Sequence, residues 1–259
     1  MFRVALLQYP IVWADKQANV QATIQRIATL AEEADVALLP EMFSTGFCTD
    51  RPDLAETMDG DTMHTLQDTA DKYDIAIAGS FICRVGTHLM NRGFLLSPHA
   101  APQIQDKRHL YAHGGEDRFF TPATERCTFT YKGVNMQMLI CYDLRFPAWA
   151  RNHTGADYDI LLVCANWPEI RIQYWDALVA ARAIENQAYI AAVNPVGDDA
   201  LGLHYNGHSI AYDTRLQPIA QFANNEEGTR IAHFDIDALH HFRQALPLWK
   251  DVDRFAIEQ

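Results

Sequence analysis

The stretch that decides the fold reads VNMQMLICYDLRFP and occupies residues 134–147. Its first seven residues are mostly apolar and β-prone, which predicts a buried strand that ends at Ile140. The polar residues after Cys141 predict that the chain leaves the strand there and enters a helix. The partial positive charge of a helix N-terminus favours the thiolate, which is the nucleophilic form of cysteine. The stretch therefore predicts a nucleophilic Cys141 at the end of a buried strand.

Before and after this strand in the sequence, apolar runs typical of strands alternate with segments whose apolar residues recur at helical spacing. Asp15 predicts the N-cap of a helix with apolar positions on one face, and residues 63–73 predict a second helix. Residues 172–187 predict a long helix that is apolar around much of its circumference. Strands are predicted at 2–7, 36–39, 75–79, 93–97, 127–131, 134–140, 160–164, 189–194, 208–212 and 230–235. Because no Pro/Gly/Ser-rich linker divides the chain, the pattern indicates one layered α/β domain over residues 1–259.

The composition narrows the classes of function. The formal net charge of −12 argues against nonspecific nucleic-acid binding, which needs clustered Lys and Arg. No apolar run approaches the ~20 residues that span a bilayer, and no charged leader with an apolar signal region precedes the first strand. The five cysteines form no CxxC pair, so neither a disulfide framework nor a zinc site is predicted. These features predict a cytoplasmic protein that binds neither nucleic acid nor a membrane.

Two further segments carry charged groups that a cysteine nucleophile needs. Glu41 follows four apolar residues and a proline, which predicts a carboxylate beside a cavity at the sheet edge. A carboxylate removed from water can take and return a proton near neutral pH, although such a residue could instead cap a loop or helix. Lys107 lies in a charged run, which is usually a solvated face, but its ammonium could also stabilise an oxyanion.

Five segments, in this order, resemble the nitrilase-like carbon–nitrogen hydrolases over nearly the full length of the chain. They are LLPEMF at 38–43, DKRHL at 106–110, LICYDLRFP at 139–147, ANWP at 165–168 and ARAIEN at 181–186. The resemblance implies that the Glu–Lys–Cys triad of the family falls on Glu41, Lys107 and Cys141. It also implies a second glutamate between the lysine and the cysteine. Glu116 is the best positional match for it, with a solvated loop acid as the alternative.

The resemblance further implies a fold and a branch of the family. It implies a four-layer α-β-β-α sandwich, no metal or organic cofactor, and a homodimer or higher homo-oligomer. The residues after Cys141 are most similar to the omega-amidase branch, whereas true nitrilases usually carry Trp-Glu there. That branch implies short ω-amides with a free carboxylate, such as 2-oxoglutaramate or 2-oxosuccinamate. The helix at 172–187 and the tail at 246–259 are expected at a subunit interface, although the tail could equally pack on its own domain.

Several side chains are candidates for binding the substrate. Arg145 offers a guanidinium, which binds a carboxylate bidentately, but it could instead pair internally with Asp143 or another acid. The aromatic candidates could be pocket walls or ordinary core. The predicted substrate-binding set is Arg145, Phe43, Phe47, Phe146, Asn166 and Trp167.

The resemblance implies covalent catalysis at Cys141. Glu41 takes the thiol proton as the sulfur attacks the amide carbonyl, and Lys107 with the backbone N–H of Tyr142 holds the oxyanion. Ammonia leaves, and water hydrolyses the thioester with the help of Glu41 and Glu116.

Three alternatives stay open from the sequence alone. A papain-like enzyme would pair Cys141 with His109 or His113, and Glu41→Gln would then be mild. A hydrolase of the same family could act on a different amide, a carbamoyl compound or a nitrile. A catalytically silent relative could serve as a binding or regulatory protein.

Overall fold

The computed structural model describes residues 1–154, 157–253 and 255–257, where two six-stranded sheets form the centre of the fold. The strands are β1 (Phe2–Gln8), β2 (Val36–Leu38), β3 (Ala76–Val85), β4 (His88–Leu96), β5 (Gln103–Asp106), β6 (Thr128–Tyr131), β7 (Val134–Ile140), β8 (Ile160–Cys164), β9 (Tyr189–Val193), β10 (Val196–Asp198), β11 (His204–Asn206), β12 (Ile210–Tyr212), β13 (Pro218–Gln221) and β14 (Gly228–Phe234). The α-helices are α1 (Lys16–Ala28), α2 (Asp61–Tyr73), α3 (Pro147–Ala150), α4 (Ile172–Asn186) and α5 (Ile236–Ala245). The first sheet has the order β14-β1-β2-β3-β4-β5 and the second β13-β12-β9-β8-β7-β6, while β10 pairs with β11 alone.

The two sheets pack face to face and carry helices on their outer faces. Because successive side chains of a strand point to opposite faces, neighbours in β1 enter different cores. Leu6 belongs to the core cluster that also contains Met138 of β7. Leu7 packs instead in a cluster with Ile27 of α1 and Leu66 of α2. Helix α4 contacts β9 of the second sheet, and the result is a four-layer α-β-β-α sandwich.

A glycine marks a close contact between the sheets. A β-carbon at Gly93 of β4 would lie 2.6 Å from Sδ of Met138 and 2.7 Å from the carbonyl oxygen of Gln105. Atoms that are not bonded do not approach so closely, so this position requires a residue without a side chain. Gly93 therefore lets β4 pack directly on β7, the strand that ends at Cys141.

The central strands of both sheets end at one place. Strands β1, β2 and β3 are parallel to one another, and so are β7, β8 and β9. The backbone N–H of Glu41, after β2, donates to the carbonyl oxygen of Ala165, after β8, at 3.3 Å. The carboxyl ends of parallel strands from the two sheets thus meet, and such ends are where α/β sheets usually bind ligands.

All of the predicted strands and helices are present, some with shifted ends, and the N-cap prediction is confirmed by Asp15 Oδ1, which accepts from the N–H of Ala18 at 3.0 Å. The strand predicted at 93–97 begins earlier, at His88, because polar residues in its first half obscure its pattern. Strands β5, β10, β11 and β13 and helix α5 were missed. Each of those strands is four residues or shorter, which is too short for a periodicity to be visible.

The prediction of a helix directly after Cys141 was only partly right. The residues Cys141–Arg145 form a short 3₁₀ turn instead of an α-helix. Phe146 is extended, with φ −113° and ψ 92°, because the following Pro147 disfavours helical geometry in the residue before it. A short helix, α3, then begins at Pro147.

The first and last strands pair with each other in an antiparallel register, Phe2 opposite Phe234. Residues 2–8 and 228–234, far apart along the chain, thereby share one sheet. Within the described ranges, no helix is both long and apolar enough to cross a bilayer.

Candidate active site

Cys141 occupies a sharp turn at the end of β7. Its φ of +46° lies in the left-handed region, which costs a non-glycine residue about 1–2 kcal/mol. Its Sγ lies 3.8 Å from the carbonyl oxygen of Asn166. Asp143 holds the turn, since its Oδ2 accepts from the N–H of Ile140 at 3.2 Å and its Oδ1 from the N–H of His109 at 2.8 Å. Backbone strain of this kind clusters at functional positions.

Glu41 is completely buried just after β2. Its Oε1 accepts a hydrogen bond from Nζ of Lys107 at 2.8 Å, and its Oε2 accepts from the backbone N–H of Asn166 at 3.0 Å. The Nδ2 of Asn166 donates in turn to the carbonyl oxygen of Glu41 at 2.6 Å. Because Asn166 follows β8, these bonds tie the carboxylate of the first sheet to the second sheet, beside the thiol of Cys141.

Lys107 and Glu116 complete a buried cluster of charges. Nζ of Lys107 donates to Oε2 and Oε1 of Glu116 at 2.8 and 3.1 Å. Glu116 begins a 3₁₀ turn, and its Oε2 also accepts from the backbone N–H of Tyr111 at 2.7 Å. The side chains of Glu41, Lys107 and Glu116 are 0% exposed. Neither the lysine nor the second glutamate therefore belongs to the solvated surface that their local sequences resemble.

The charges of the cluster act on one another strongly. Burial, together with the Glu41 carboxylate, raises the pKa of the Cys141 thiol well above its ordinary value, and Lys107 offsets only part of this. Burial alone would lower the pKa of Lys107, but the carboxylates of Glu116 and Glu41 outweigh it and raise that pKa well above the ordinary value. Burial also raises the pKa of Glu116 despite the neighbouring Lys107. Burial and the Glu41 carboxylate therefore oppose the thiolate form that the N-terminus of a helix would favour.

A cavity of about 330 Å³ opens on Cys141. Two guanidinium groups face it, those of Arg145 and Arg171, and neither forms a salt bridge with any residue that the structure describes. The guanidinium of Arg145 lies 4.9 Å from the ring centroid of Trp167, so cation–π contacts hold it in place. The other lining residues are Phe47, Thr49, Tyr111, His113, Gly114, Tyr142, Asn166, Pro168, Asp199, Leu201, Leu203 and Tyr205.

The structure places two of the predicted pocket walls elsewhere. Phe43 is completely buried in the core between the first sheet and its helices, with its ring edge-on to that of Phe94. Phe146 stacks on the ring of His109 at a centroid distance of 3.7 Å. Phe43 lies in the turn after β2 and Phe146 lies between the 3₁₀ turn and α3, and neither residue lines the cavity. Phe47, Asn166 and Trp167 do line it, and so does Arg145.

The structure also separates the alternatives for the polar residues. Asp143 binds the Nδ1 of His109 at 2.9 Å, and not Arg145. The ring of His109 stacks on Phe146 and does not line the cavity that opens on Cys141, so it is not placed to serve the thiol. His113 is exposed and lines the cavity, but its ring packs against Tyr111. Among the described residues, Glu41 is the acid–base group that hydrogen bonds hold beside Cys141.

Sequence reasoning missed several residues of the site. Asn91 of β4 donates from Nδ2 to both carboxylates, at 2.8 Å to Glu41 and 2.9 Å to Glu116. A polar residue in the interior of a strand that enters the core was the available signal. Arg171, Tyr111 and Tyr205 line the cavity from loops and short strands, and no local pattern distinguishes them from surface residues.

Comparison with known proteins identifies the family. A family model described as carbon-nitrogen hydrolase matches residues 3–244. The chain is 37% identical over 257 residues to an omega-amidase, YafV, of Yersinia enterocolitica, with 98% of each chain covered, and 32% identical to a 2-oxoglutaramate amidase of Bacillus subtilis, with 96% of each covered. A crystal structure from Xanthomonas campestris, a CN-hydrolase superfamily protein with an arsenic adduct in its active site, matches with a TM-score of 0.96 at 35% identity over 99% of each chain. The chain belongs to the carbon–nitrogen hydrolase family, and the predictions of family and fold are confirmed.

Proposed function

We propose that this protein is an omega-amidase, which hydrolyses the terminal amide of a small substrate that also carries a carboxylate. The observation that carries the proposal is a cavity in which a thiol beside a buried carboxylate faces the guanidinium of Arg145, which forms no salt bridge with any described residue. The full-length similarity to proteins named omega-amidase and 2-oxoglutaramate amidase supports the same interpretation.

The first half of the reaction forms a thioester. Glu41 takes the proton of the Cys141 thiol as Sγ attacks the amide carbonyl carbon. Because burial raises the pKa of this thiol, proton transfer and attack occur together instead of starting from a free thiolate. Glu41 then gives the proton to the amide nitrogen, the carbon–nitrogen bond breaks, and ammonia leaves.

The second half hydrolyses the thioester. Glu41, carboxylate again, takes a proton from water as the water oxygen attacks the thioester carbon. The carbon–sulfur bond breaks, the thiolate recovers the proton from Glu41, and the free acid leaves. Glu116 acts on this step through Lys107. Both carboxylate oxygens of Glu116 accept hydrogen bonds from the Lys107 ammonium, and Glu116 itself donates no proton.

The oxyanion of both halves is held by Lys107 and by the backbone N–H of Tyr142. Tyr142 lies in the first turn of the 3₁₀ segment, where N–H groups have no partner inside the helix. The Lys107 ammonium is fixed by its hydrogen bonds to Glu41 and Glu116, and since its three N–H groups are donated to these carboxylates, it acts on the oxyanion through its positive charge. Loss of one such donor typically lowers the rate ~10²–10³-fold.

Arg145 binds the substrate carboxylate at the far side of the cavity. Its guanidinium is stacked among Trp167, Tyr174 and Tyr142, which leaves its N–H edge for a bidentate bond. Phe47 and Trp167 form apolar walls for the carbon chain between the amide and the carboxylate. A volume of about 330 Å³ suits a short chain such as that of 2-oxoglutaramate or 2-oxosuccinamate.

The test is ammonia release from 2-oxoglutaramate, from 2-oxosuccinamate and from a panel of plain amides, nitriles and carbamoyl compounds. Wild type is compared with Cys141→Ala and Glu41→Gln. Turnover of the ω-amides that is lost in both variants supports the proposal in full. Turnover of other compounds alone keeps the catalytic residues and replaces the substrate class. A folded protein that turns over none of them is a binding relative, and the proposal falls.

We also propose a homodimer built on helix α4 and the C-terminal tail. On the outward face of α4 and the turn before it, Ile170, Tyr174 and Ile184 are 80%, 57% and 50% exposed. In the tail, Leu246 and Phe255 are 47% and 45% exposed, although Phe255 also contacts the ring of His153. Such apolar surface is typical of an interface. Sedimentation of the wild type as a monomer would remove this proposal.

The same chemistry leads us to propose a cytoplasmic location. All five cysteines lie in the described part of the chain and are free thiols, and the reaction requires Cys141 to stay reduced. Fractionation of cells that express the protein would test this location.

A further inference from the structure

Asn91 is the one side chain, among the described residues, that binds both carboxylates of the cluster without carrying a charge. It is completely buried on β4. Its Nδ2 donates to Oε1 of Glu41 at 2.8 Å and to Oε1 of Glu116 at 2.9 Å. Its backbone carbonyl accepts from the N–H of Lys107 at 2.9 Å. A single residue therefore contacts all three charged members of the cluster.

The orientation of the Asn91 amide follows from its partners. Carboxylates only accept hydrogen bonds, so the amide nitrogen, with its two N–H groups, has to face them. The amide oxygen is left buried with no hydrogen-bond partner among the described residues. A buried acceptor without a hydrogen-bond partner is unfavourable, so its presence in a folded protein needs an explanation. Here the reason is that both N–H groups are used on the two carboxylates.

These hydrogen bonds give the two carboxylate oxygens of Glu41 different partners. Oε1 accepts from Asn91 and from Lys107, whereas Oε2 accepts from the backbone N–H of Asn166. The carbonyl of Asn166 is the group that Sγ of Cys141 approaches, so Oε2 lies on the side of the thiol. We infer that Asn91 is a positioning residue, which keeps Oε1 of each glutamate unprotonated and directs the proton from Cys141 to Oε2 of Glu41. This inference rests on the proposed amidase mechanism.

The consequence for pH dependence has a definite sign. A hydrogen-bond donor favours the charged form of a carboxyl group, so Asn91 lowers the pH at which the pair takes up a proton. Loss of both N–H groups should therefore move the acid limb of kcat/KM upward by about one pH unit. A residue with a purely structural role would lower activity without moving this limb.

The variants Asn91→Val and Asn91→Thr form a matched pair, because both suit a strand and differ only in one hydroxyl donor. We expect Asn91→Val to lower kcat about 10²-fold with little change in KM, and to move the acid limb upward by about one pH unit. Asn91→Thr should show a smaller change in both. Asn152→Val is the control, since Asn152 is buried and donates to the carbonyl of Tyr158 but does not line the cavity.

The experiment measures kcat/KM from pH 4 to pH 10 on whichever amide the wild type hydrolyses best, with circular dichroism to confirm folding. In parallel, ¹³C NMR of glutamate-labelled protein follows the carboxyl titration without any substrate, with Glu116→Gln for assignment. An upward displacement of the titration in Asn91→Val that Asn91→Thr partly restores supports the inference. Identical titrations in wild type and Asn91→Val overturn it. If no amide is turned over, the proposed function falls, and the NMR titration still decides the role of Asn91.

Discussion

The two halves of the site, one from each sheet, are built in opposite ways. The half from the first sheet holds Glu41, Lys107, Glu116 and Asn91, and its charged side chains are completely buried and bonded to one another. The half from the second sheet holds Cys141 and Arg145, which face a cavity, and the guanidinium lacks a salt bridge to any described residue. The charged groups of the first half are thus shielded from bulk solvent, while the guanidinium of Arg145 stays accessible from the cavity.

The difference follows from what each half has to do. Proton transfer needs donors and acceptors that are already in place, because reorganisation during the reaction raises the barrier. Substrate recognition needs a charged group that binds the ligand more strongly than it binds any group of the protein. A guanidinium already paired with Asp143 would bind a substrate carboxylate only by breaking that pair.

The largest expected effect is that of Cys141→Ala. We expect kcat to fall by more than about 10⁴-fold, because no other group in the cavity can form the thioester. Cys164→Ala is the control, since Cys164 ends the neighbouring strand β8, opposite Ile140, and is completely buried. It should keep its activity and lose only about 1 kcal/mol of stability. Ammonia release measures both, and substantial turnover by Cys141→Ala would move the nucleophile elsewhere.

The next effect is that of Lys107→Met, which leaves two buried carboxylates without their cation. We expect kcat to fall about 10³-fold and the free energy of unfolding at pH 8 to fall by about 3–5 kcal/mol. Burial already raises the pKa of Glu116, and loss of the ammonium raises it further above the unfolded value. The loss of stability is therefore small at low pH, grows as the pH rises from the unfolded-state pKa of Glu116 toward its raised folded-state pKa, and is constant above that.

Urea unfolding of Lys107→Met at several pH values checks this sign. The control is Lys132→Met, because Lys132 is 44% exposed and its partner Asp35 keeps Arg3 as a second partner, and pairs with an exposed member contribute about 0–1 kcal/mol. A deficit in Lys107→Met that is the same at acid and neutral pH would contradict the assignment of a charge cluster.

A smaller effect is expected for Arg145→Ala on the open side of the site. We expect kcat/KM for an acidic ω-amide to fall about 10²-fold, since hydrogen bonds to a charged group are lost, and kcat/KM for a neutral amide to change little. Steady-state kinetics on 2-oxoglutaramate and on a neutral amide of the same length measure the selectivity. The matched variant Arg171→Ala removes the second guanidinium. If it alone changes the selectivity, the carboxylate site lies at Arg171.

The smallest effect concerns the coupling between the two halves. The Glu41 carboxylate helps to raise the pKa of Cys141, while Lys107 lowers it. Glu41→Gln should therefore lower this pKa, and alkylation of Cys141 by iodoacetamide at pH 7.5 should become faster, about tenfold for a tenfold larger thiolate fraction. Ammonia release should be lost in the same variant. Glu56→Gln, which affects a surface pair with Lys16, is the control, and slower alkylation in Glu41→Gln would contradict the coupling.

The sequence predicted most strands of the site from their apolar runs, whereas β5, which ends directly before Lys107, is four residues long and was missed. The short strands β10 and β11, which carry Tyr205 into the cavity, have no such signal. The wall residues were harder to predict than the charged ones. Phe43 and Phe47 are equally apolar in sequence, but one lies in the core and the other lines the cavity.

By itself, the sequence determined most of the strands and helices in their order along the chain, the strand-end position of Cys141 and, through resemblance, the roles proposed for Glu41, Lys107 and Glu116. These depend on local patterns and motifs that can be read along the chain. Only the tertiary structure decided that Asn91 links the two glutamates and that Asp143 binds His109, while Arg145 has no salt bridge to any residue the structure describes. These are contacts between residues 25 or more positions apart, and their geometry depends on how closely the two sheets pack.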